Sequence, residues 1–158
     1  MSFKRPRYPV LRTREGQLNY NSNGGLANTA YLYPLYLRQP TPIIGLEAIA
    51  KGAADFQLGI YRWTSFQQAT AESLYLSPVY TAPADSLIAD PVEQWLPAGY
   101  TWLAVASDTA GALGIATPRA LDSDYAKVAL ASYPLPSTIT ILGGAIFIPT
   151  ICVVTGDT

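Results

Sequence analysis

Short stretches of alternating hydrophobic and polar residues dominate this chain, and the stretch Phe56–Trp63 alternates most cleanly. Phe56, Leu58 and Ile60 fall on one face of an extended strand, and the residues between them fall on the other. The stretch Tyr100–Ala106 has the same period of two. This period predicts β-strands that bury one face.

Turn-forming residues separate such stretches throughout the chain after its first 28 residues. Their spacing of roughly 8–12 residues favours a β-sandwich over alternating strands and helices. Ser65–Ser73 is the one segment compatible with a short helix or turn, and Gly143-Gly144 predicts a hairpin turn or a bulge. The predicted strands are Ala30–Leu37, Ile43–Ala50, Phe56–Trp63, Leu74–Tyr80, Ser86–Asp90, Tyr100–Ala106, Ala112–Thr117, Ala126–Ser132, Ile139–Leu142 and Ala145–Val154.

This set of strands predicts an all-β fold: a two-sheet antiparallel β-sandwich, jelly-roll-like, whose partner strands are far apart in sequence. We divide the chain into an extended basic N-terminal arm, residues 1–28, and a jelly-roll-like β-sandwich, residues 29–158. A length of 158 residues suits one domain with a sizeable core. Because only 13% of the residues are charged, the body either buries much of its surface within itself or is partly covered by other subunits.

The charges are distributed unevenly between arm and body. Five of the ten basic residues precede the first acidic residue, Glu15. From Glu15 onward, five basic and eleven acidic residues leave a net charge of −6, so a cationic arm joins an anionic body. The arm residues that we expect to anchor the chain to a partner are Lys4, Arg5, Arg7, Tyr8, Arg12 and Arg14.

Two kinds of partner are open to this arm. Its cations can contact nucleic-acid phosphates in a salt-dependent manner, and Tyr8 can stack on a base. The body offers no basic continuation, however, and the footprint on nucleic acid would be small. We therefore expect the arginines to pair with carboxylates of a neighbouring protein subunit.

The single cysteine and the apolar C-terminal tract carry little chemistry. Cys152 has no intrachain partner and lies in an apolar run, so we expect a buried side chain. The tract Ile139–Val154 is too short and too interrupted to span a bilayer. No apolar stretch of signal-peptide type follows the basic N-terminus, and we expect a soluble chain with no membrane association.

The composition disfavours catalysis because the chain contains no histidine, the commonest general base and metal ligand. Pairs of carboxylates are the remaining acid–base candidates. Asp90 and Glu93 lie beside Pro91 in a predicted loop, where a solvated turn is the favoured interpretation. Asp122 and Asp124 offer oxygen ligands for calcium but lack the further spacing of a calcium loop. We expect neither an enzyme nor a bound cofactor or metal.

Aromatic residues are the better candidates for a binding site. The chain has 11 tyrosines and 3 tryptophans, residue types that are enriched at interfaces. Trp63 and Trp95 flank predicted loops and are candidates for contact with a glycan or another subunit, together with Tyr61 and Tyr100. Trp102 lies in the most regular strand, and we expect it in the core or in an interface.

Two motifs in order resemble a known family. Phe56–Tyr61 reads FQLGIY, and Leu96–Val105 reads LPAGYTWLAV. Over residues 29–117 the chain resembles the β-sandwich domain of tailed-bacteriophage virion proteins, notably tail-fibre, tail-associated and decoration proteins. The segment Trp63–Pro91 departs from the Gly/Pro-rich stretch of that family, so functions carried by its loops do not transfer.

The resemblance implies a non-enzymatic structural protein of a bacteriophage particle. The expected role is capsid decoration (cement): the sandwich forms an oligomer, a trimer, and the basic arm anchors it to the major capsid protein. The alternative is a short fibre or receptor-binding protein that joins tail proteins and contacts host glycans through the loops of Trp63 and Trp95. Either role places the chain on the virion surface after assembly in the host cytoplasm.

Overall fold

The described part of the chain consists of β-strands and the loops between them. A computed structural model describes residues 7–8, 22–64, 69–116, 127–129, 133–144 and 148–155. The prediction of an all-β fold is confirmed. The strands are β1 Arg7–Tyr8, β2 Ser22–Gly24, β3 Thr29–Leu37, β4 Thr41–Ala50, β5 Ala54–Arg62, β6 Thr70–Leu76, β7 Tyr80–Ala82, β8 Ser86–Leu96, β9 Gly99–Ser107, β10 Leu113–Ala116, β11 Lys127–Ala129, β12 Thr138–Gly144, β13 Ile148–Pro149 and β14 Ile151–Thr155.

These strands form two antiparallel sheets, as predicted. In the first sheet, β4 lies between β8 and β14, β1 extends the sheet beyond β14, and β10 joins it together with β2 and β13. The second sheet has the order β6-β12-β11-β3-β9-β5, with β7 beside β5. Partners such as β3 with β9 and β4 with β8 are far apart in sequence, which is the jelly-roll-like feature of the prediction.

The second sheet closes on itself, which the sequence prediction did not include. Strand β6 pairs with β12 on one side and with β5 on the other, so six strands form a complete circuit, which we call the closed sheet. Closure removes two sheet edges that would expose unpaired backbone groups. The buried side chains inside it include many small ones: Ala30, Ala71, Ala104, Ala106 and Ala129.

Alternation along β5 and β9 supplies two separate cores. Phe56, Leu58 and Ile60 join the core between the two sheets. Tyr61 and Trp102 belong to the second core, inside the closed sheet. The alternation predicted for β5 is therefore confirmed, as is the core position of Trp102.

Polar groups inside the closed sheet are satisfied by the segment that precedes β12. The Leu135 N–H donates to Gln57 Oε1 at 2.7 Å, and Gln57 Nε2 donates to the Ser77 carbonyl at 2.9 Å. The Tyr61 hydroxyl donates to the Pro136 carbonyl at 2.5 Å. These hydrogen bonds allow a buried amide and a buried phenol to lie within an otherwise apolar core.

The predicted helix or turn at Ser65–Ser73 is wrong over its described C-terminal part. Strand β6 begins at Thr70, and residues 65–68 lie outside the described part of the chain. The weak helix propensity of this segment is overridden because β6 pairs with both β12 and β5, which completes the closed sheet.

The predicted strand Leu74–Tyr80 is interrupted at residues 77–79. Strand β6 ends at Leu76 and β7 begins at Tyr80, and both strands pair antiparallel with β5. At the interruption, the Leu58 N–H donates to Ser77 Oγ at 2.9 Å, so a side chain replaces the next backbone partner of β5. A serine side chain that competes for backbone hydrogen bonds favours such an interruption.

Two smaller predictions near the C-terminus are confirmed. Gly143 pairs with Val128 and Ile141 with Ala129, so Leu142 is an extra residue, and the glycine pair belongs to a β-bulge in β12. Cys152 is fully buried in β14.

Candidate ligand-binding groove

A groove of about 310 Å³ opens between the two sheets, where β5 and β8 end and β9 begins. The β5–β9 pairing places Arg62 opposite Thr101. Gly99 has a φ of 95°, which glycine adopts readily, and the chain therefore turns directly from β8 into β9. The residues that line the groove are Arg62, Trp63, Leu74, Gln94, Trp95, Pro97, Tyr100 and Thr101.

Trp95 forms the rim of the groove on β8. Val92 and Leu96 are buried along this strand, whereas Glu93 and Trp95 face outward. Trp95 is 67% exposed, and no ring contact joins it to another aromatic residue of the described chain. An exposed tryptophan fixed on a strand offers a large contact area at low cost in conformational entropy.

The facing side of the groove is supported by aromatic rings that contact one another in series. Trp63 stacks on the buried Trp102 with 4.7 Å between ring centroids, and on Tyr100 with 4.6 Å. Tyr100 in turn contacts Tyr36, its partner in the β3–β9 pairing, at 5.0 Å. Because Trp102 is anchored in the core, these contacts hold Trp63 and Tyr100 in place before a ligand binds.

Three polar side chains accompany the aromatic ones. Arg62 is exposed at the end of β5, and Gln94 is partly exposed on β8. Thr101 is only 1% exposed, and its Oγ1 has no hydrogen-bond partner among the described residues. A buried hydroxyl without a partner is destabilising by about 1–3 kcal/mol, so a ligand or water that reaches Thr101 gains a hydrogen bond.

The structure brings together three of the four aromatic residues singled out from the sequence. Trp63, Trp95 and Tyr100 line the same groove. Tyr61 does not reach it, because its side chain is 0% exposed inside the closed sheet. Burial raises the pKa of the Tyr61 phenol above its ordinary value, and its hydroxyl is already bound to the Pro136 carbonyl.

Arg62 and Gln94 were not singled out from the sequence, although they complete the groove. Gln94 could have been found from the alternation of buried and exposed residues along β8. When this period of two is continued past Asp90, the Gln94 side chain falls on the inner face with Val92 and Leu96. The signal for Arg62 was its place at the end of the best-predicted strand.

Little of the predicted basic arm lies within the described part of the chain. Arg7 and Tyr8 form β1, which pairs with Val154 and Val153 at the edge of β14. The other predicted anchoring residues lie outside the described residues: Lys4, Arg5, Arg12 and Arg14.

The carboxylate pair Asp90 and Glu93 does not lie in a loop, and that prediction is wrong. Strand β8 continues through Pro91 to Leu96 because β4 pairs with it over this length. Asp90 is 2% exposed on the inner face, whereas Glu93 is exposed on the outer face. The two carboxylates therefore point in opposite directions and do not flank a common cleft.

Asp90 instead joins the two sheets through a cluster that the sequence analysis missed. The hydroxyl of Tyr75 on β6 donates to Asp90 Oδ2 at 2.7 Å, and the hydroxyl of Tyr80 on β7 donates to Oδ1. Burial, followed by the hydrogen bond to Asp90, raises the pKa of Tyr75, and the same causes raise the pKa of Tyr80 to about 12. Both phenols are therefore neutral donors at physiological pH.

Within the described residues, no group of three or more His, Cys, Asp or Glu side chains is placed to hold a metal ion. Asp122 and Asp124, the calcium candidates, lie outside those residues. No helix in the described part of the chain has the length and apolar character needed to cross a membrane. Comparison of the chain with protein-family models, curated proteins and solved structures found no match.

Proposed function

We propose that this chain is a non-enzymatic binding protein on the surface of a bacteriophage particle, a short tail-associated adhesin that binds host glycans in the groove. The observation that carries the proposal is the convergence of Trp63, Trp95 and Tyr100 on one groove. The bacteriophage setting comes from the motif resemblance over residues 29–117.

The chemistry of the groove suits a sugar. A pyranose ring presents C–H groups on its faces and hydroxyls at its edges, so it needs an apolar plane beside hydrogen-bonding groups. Trp95 supplies an exposed plane, and Gln94, Arg62 and Thr101 supply donors and acceptors. A concave, mostly apolar site with a few placed polar groups is typical of small-molecule binding, and a volume near 300 Å³ lies at the small end of that class.

The experiment is adsorption of the purified full chain to host cells, with two matched variants. Trp95→Ala removes the exposed ring at the groove, and Leu87→Ala removes an exposed apolar side chain from the same face of β8, near the strand's other end. We expect Trp95→Ala to weaken adsorption at least about tenfold, which corresponds to 1.4 kcal/mol, and Leu87→Ala to leave it unchanged. Equal adsorption by all three proteins contradicts the proposal.

A second candidate is the capsid decoration (cement) role, with a trimeric sandwich anchored to the major capsid protein by the basic arm. The observation that favours it is the uneven charge of the chain, since five of its ten basic residues precede the first acidic residue and the remainder is anionic. Several arms per oligomer would multiply weak contacts.

Cosedimentation with separated undecorated heads and isolated tails distinguishes the two roles. The cement role predicts saturable, salt-sensitive binding to heads that is lost when residues 1–20 are deleted. Binding to tails alone favours the adhesin. Undiminished binding of the truncated chain to heads would contradict anchoring by the arm.

A further inference from the structure

We infer that the groove selects acidic saccharides, and that Arg62 binds the carboxylate of the sugar while the ring packs against Trp95. This inference rests on the proposed glycan-binding function and adds the chemical class of the ligand. It is carried by the charge of the groove, the geometry around Arg62 and the unpartnered hydroxyl of Thr101.

The charge of the groove differs from that of the surrounding protein. From Glu15 onward the chain carries eleven acidic and only five basic residues, and the described residues include seven carboxylates against five basic residues, Arg7, Arg38, Lys51, Arg62 and Lys127. Among the described residues, Arg62 is the one charged residue that lines the groove, and none of the described carboxylates lines it. The groove is therefore a locally positive site on an acidic body, which matches an anionic ligand.

Arg62 is also available to bind an external anion. Lys51 forms an ion pair with Asp85 at 2.5 Å, whereas Arg62 has no ion pair with any described carboxylate. Its planar fork can bind a carboxylate through two parallel hydrogen bonds, a geometry that lysine does not offer.

The register of the strands places the remaining contacts around Arg62. Thr101 lies opposite Arg62 in the β5–β9 pairing, and its buried Oγ1 has no partner among the described residues. Gln94, on the inner face of β8, lines the groove beside Thr101, and Trp95, on the outer face, forms the rim. A sugar whose carboxylate meets Arg62 can therefore present a ring hydroxyl to Thr101 or Gln94 and a C–H face to Trp95.

The test compares each acidic oligosaccharide with its own neutral form. The probes are oligosaccharides that end in a uronic acid or a sialic acid, the same compounds after reduction of the carboxyl to an alcohol, and a phosphorylated sugar series. Calorimetric titration of the full chain is expected to show binding at least about tenfold tighter for an acidic form than for its reduced form.

Three variants assign this preference to Arg62. Arg62→Gln is expected to remove the preference, and Arg62→Lys to retain part of it. Lys51→Gln removes one positive charge at the far end of β4, remote from the Thr41–Leu96 pair beside the groove, and is expected to keep the preference in full.

The outcomes separate the inference from the proposed function. Three results would overturn the carboxylate assignment and leave glycan binding intact. These are equal binding of the acidic and reduced forms, a preference for the acidic form that survives in Arg62→Gln, and tighter binding of the phosphorylated series. Binding of none of these saccharides, and of no neutral glycan on an array, overturns both.

Discussion

The cluster of Asp90, Tyr75 and Tyr80 makes a quantitative prediction about how the two sheets are joined. Tyr75→Phe and Tyr80→Phe each remove one hydroxyl that donates to a carboxylate that is 2% exposed. A hydrogen bond to a charged group contributes about 1.5–3 kcal/mol. We expect each substitution to lower the free energy of unfolding by about 1.5 kcal/mol, the low end of that range, because both tyrosines are partly exposed and their surroundings admit water.

The double variant Tyr75→Phe/Tyr80→Phe should lower the free energy of unfolding by more than the sum of the two single substitutions. It leaves a buried carboxylate without either phenol donor, and breaking a buried charged group's interactions costs about 3–5 kcal/mol. Adding Asp90→Leu to the double variant makes the whole cluster apolar and should recover most of the loss, because no buried charge then remains.

The assay is urea unfolding at pH 7, followed by tryptophan fluorescence, with a check that the denaturant slope is unchanged. Tyr36→Phe is the control, since Tyr36 is exposed and forms no hydrogen bond among the described residues that involves its hydroxyl. Two results would refute this account of the Asp90 cluster. One is a decrease in the free energy of unfolding below about 0.5 kcal/mol in both single variants, and the other is a triple variant that is no more stable than the double variant.

Three further predictions concern glycine packing, alkaline pH and the buried thiol. An added Cβ at Gly114 would lie 2.7 Å from Ile49 Cγ2, whereas one at Gly143 meets nothing within 4 Å. In thermal unfolding, Gly114→Ala should therefore lower the free energy of unfolding by about 1–3 kcal/mol, and Gly143→Ala by under about 0.5 kcal/mol. The pKa of Tyr80 is about 12 in the folded protein, against about 10 in the unfolded chain. Its stabilising contribution is therefore complete below about pH 10 and decreases towards pH 12. Urea titrations should show that the free energy of unfolding falls less steeply between these pH values in Tyr80→Phe than in wild type. Cys152 is fully buried, and a thiol reagent should modify it only as fast as the protein unfolds; immediate modification contradicts the packing.

Local pattern was sufficient to predict most of the strands. The alternation in β5 and β9 follows from residues within each strand, and both strands occur where the period of two places them. The closed sheet could not be predicted in this way. Its closure depends on β6, whose residues Thr70–Ser73 have no clear period, and on pairings with β5 and β12 that only the whole fold determines.

In the candidate site too, the residues that local pattern could predict differ from those that only the fold brings together. Trp63, Trp95 and Tyr100 were predictable as surface aromatics because they flank turns. Arg62 and Gln94 were missed because their approach depends on strand register and on β8 extending to Leu96. Tyr61 shows the converse: it was a candidate for contact with a glycan or another subunit, but the pleat of β5 directs its side chain into the closed sheet.

The central claim is that the groove beside Trp95 binds glycans, and a glycan array tests it most directly. The measurement compares the full chain with its Trp95→Ala and Leu87→Ala variants, each verified as folded by its unfolding curve. The account predicts saturable binding to a defined set of glycans by wild type and Leu87→Ala, and binding at least about tenfold weaker by Trp95→Ala. Identical binding by all three proteins, or no binding by the wild type, would contradict it.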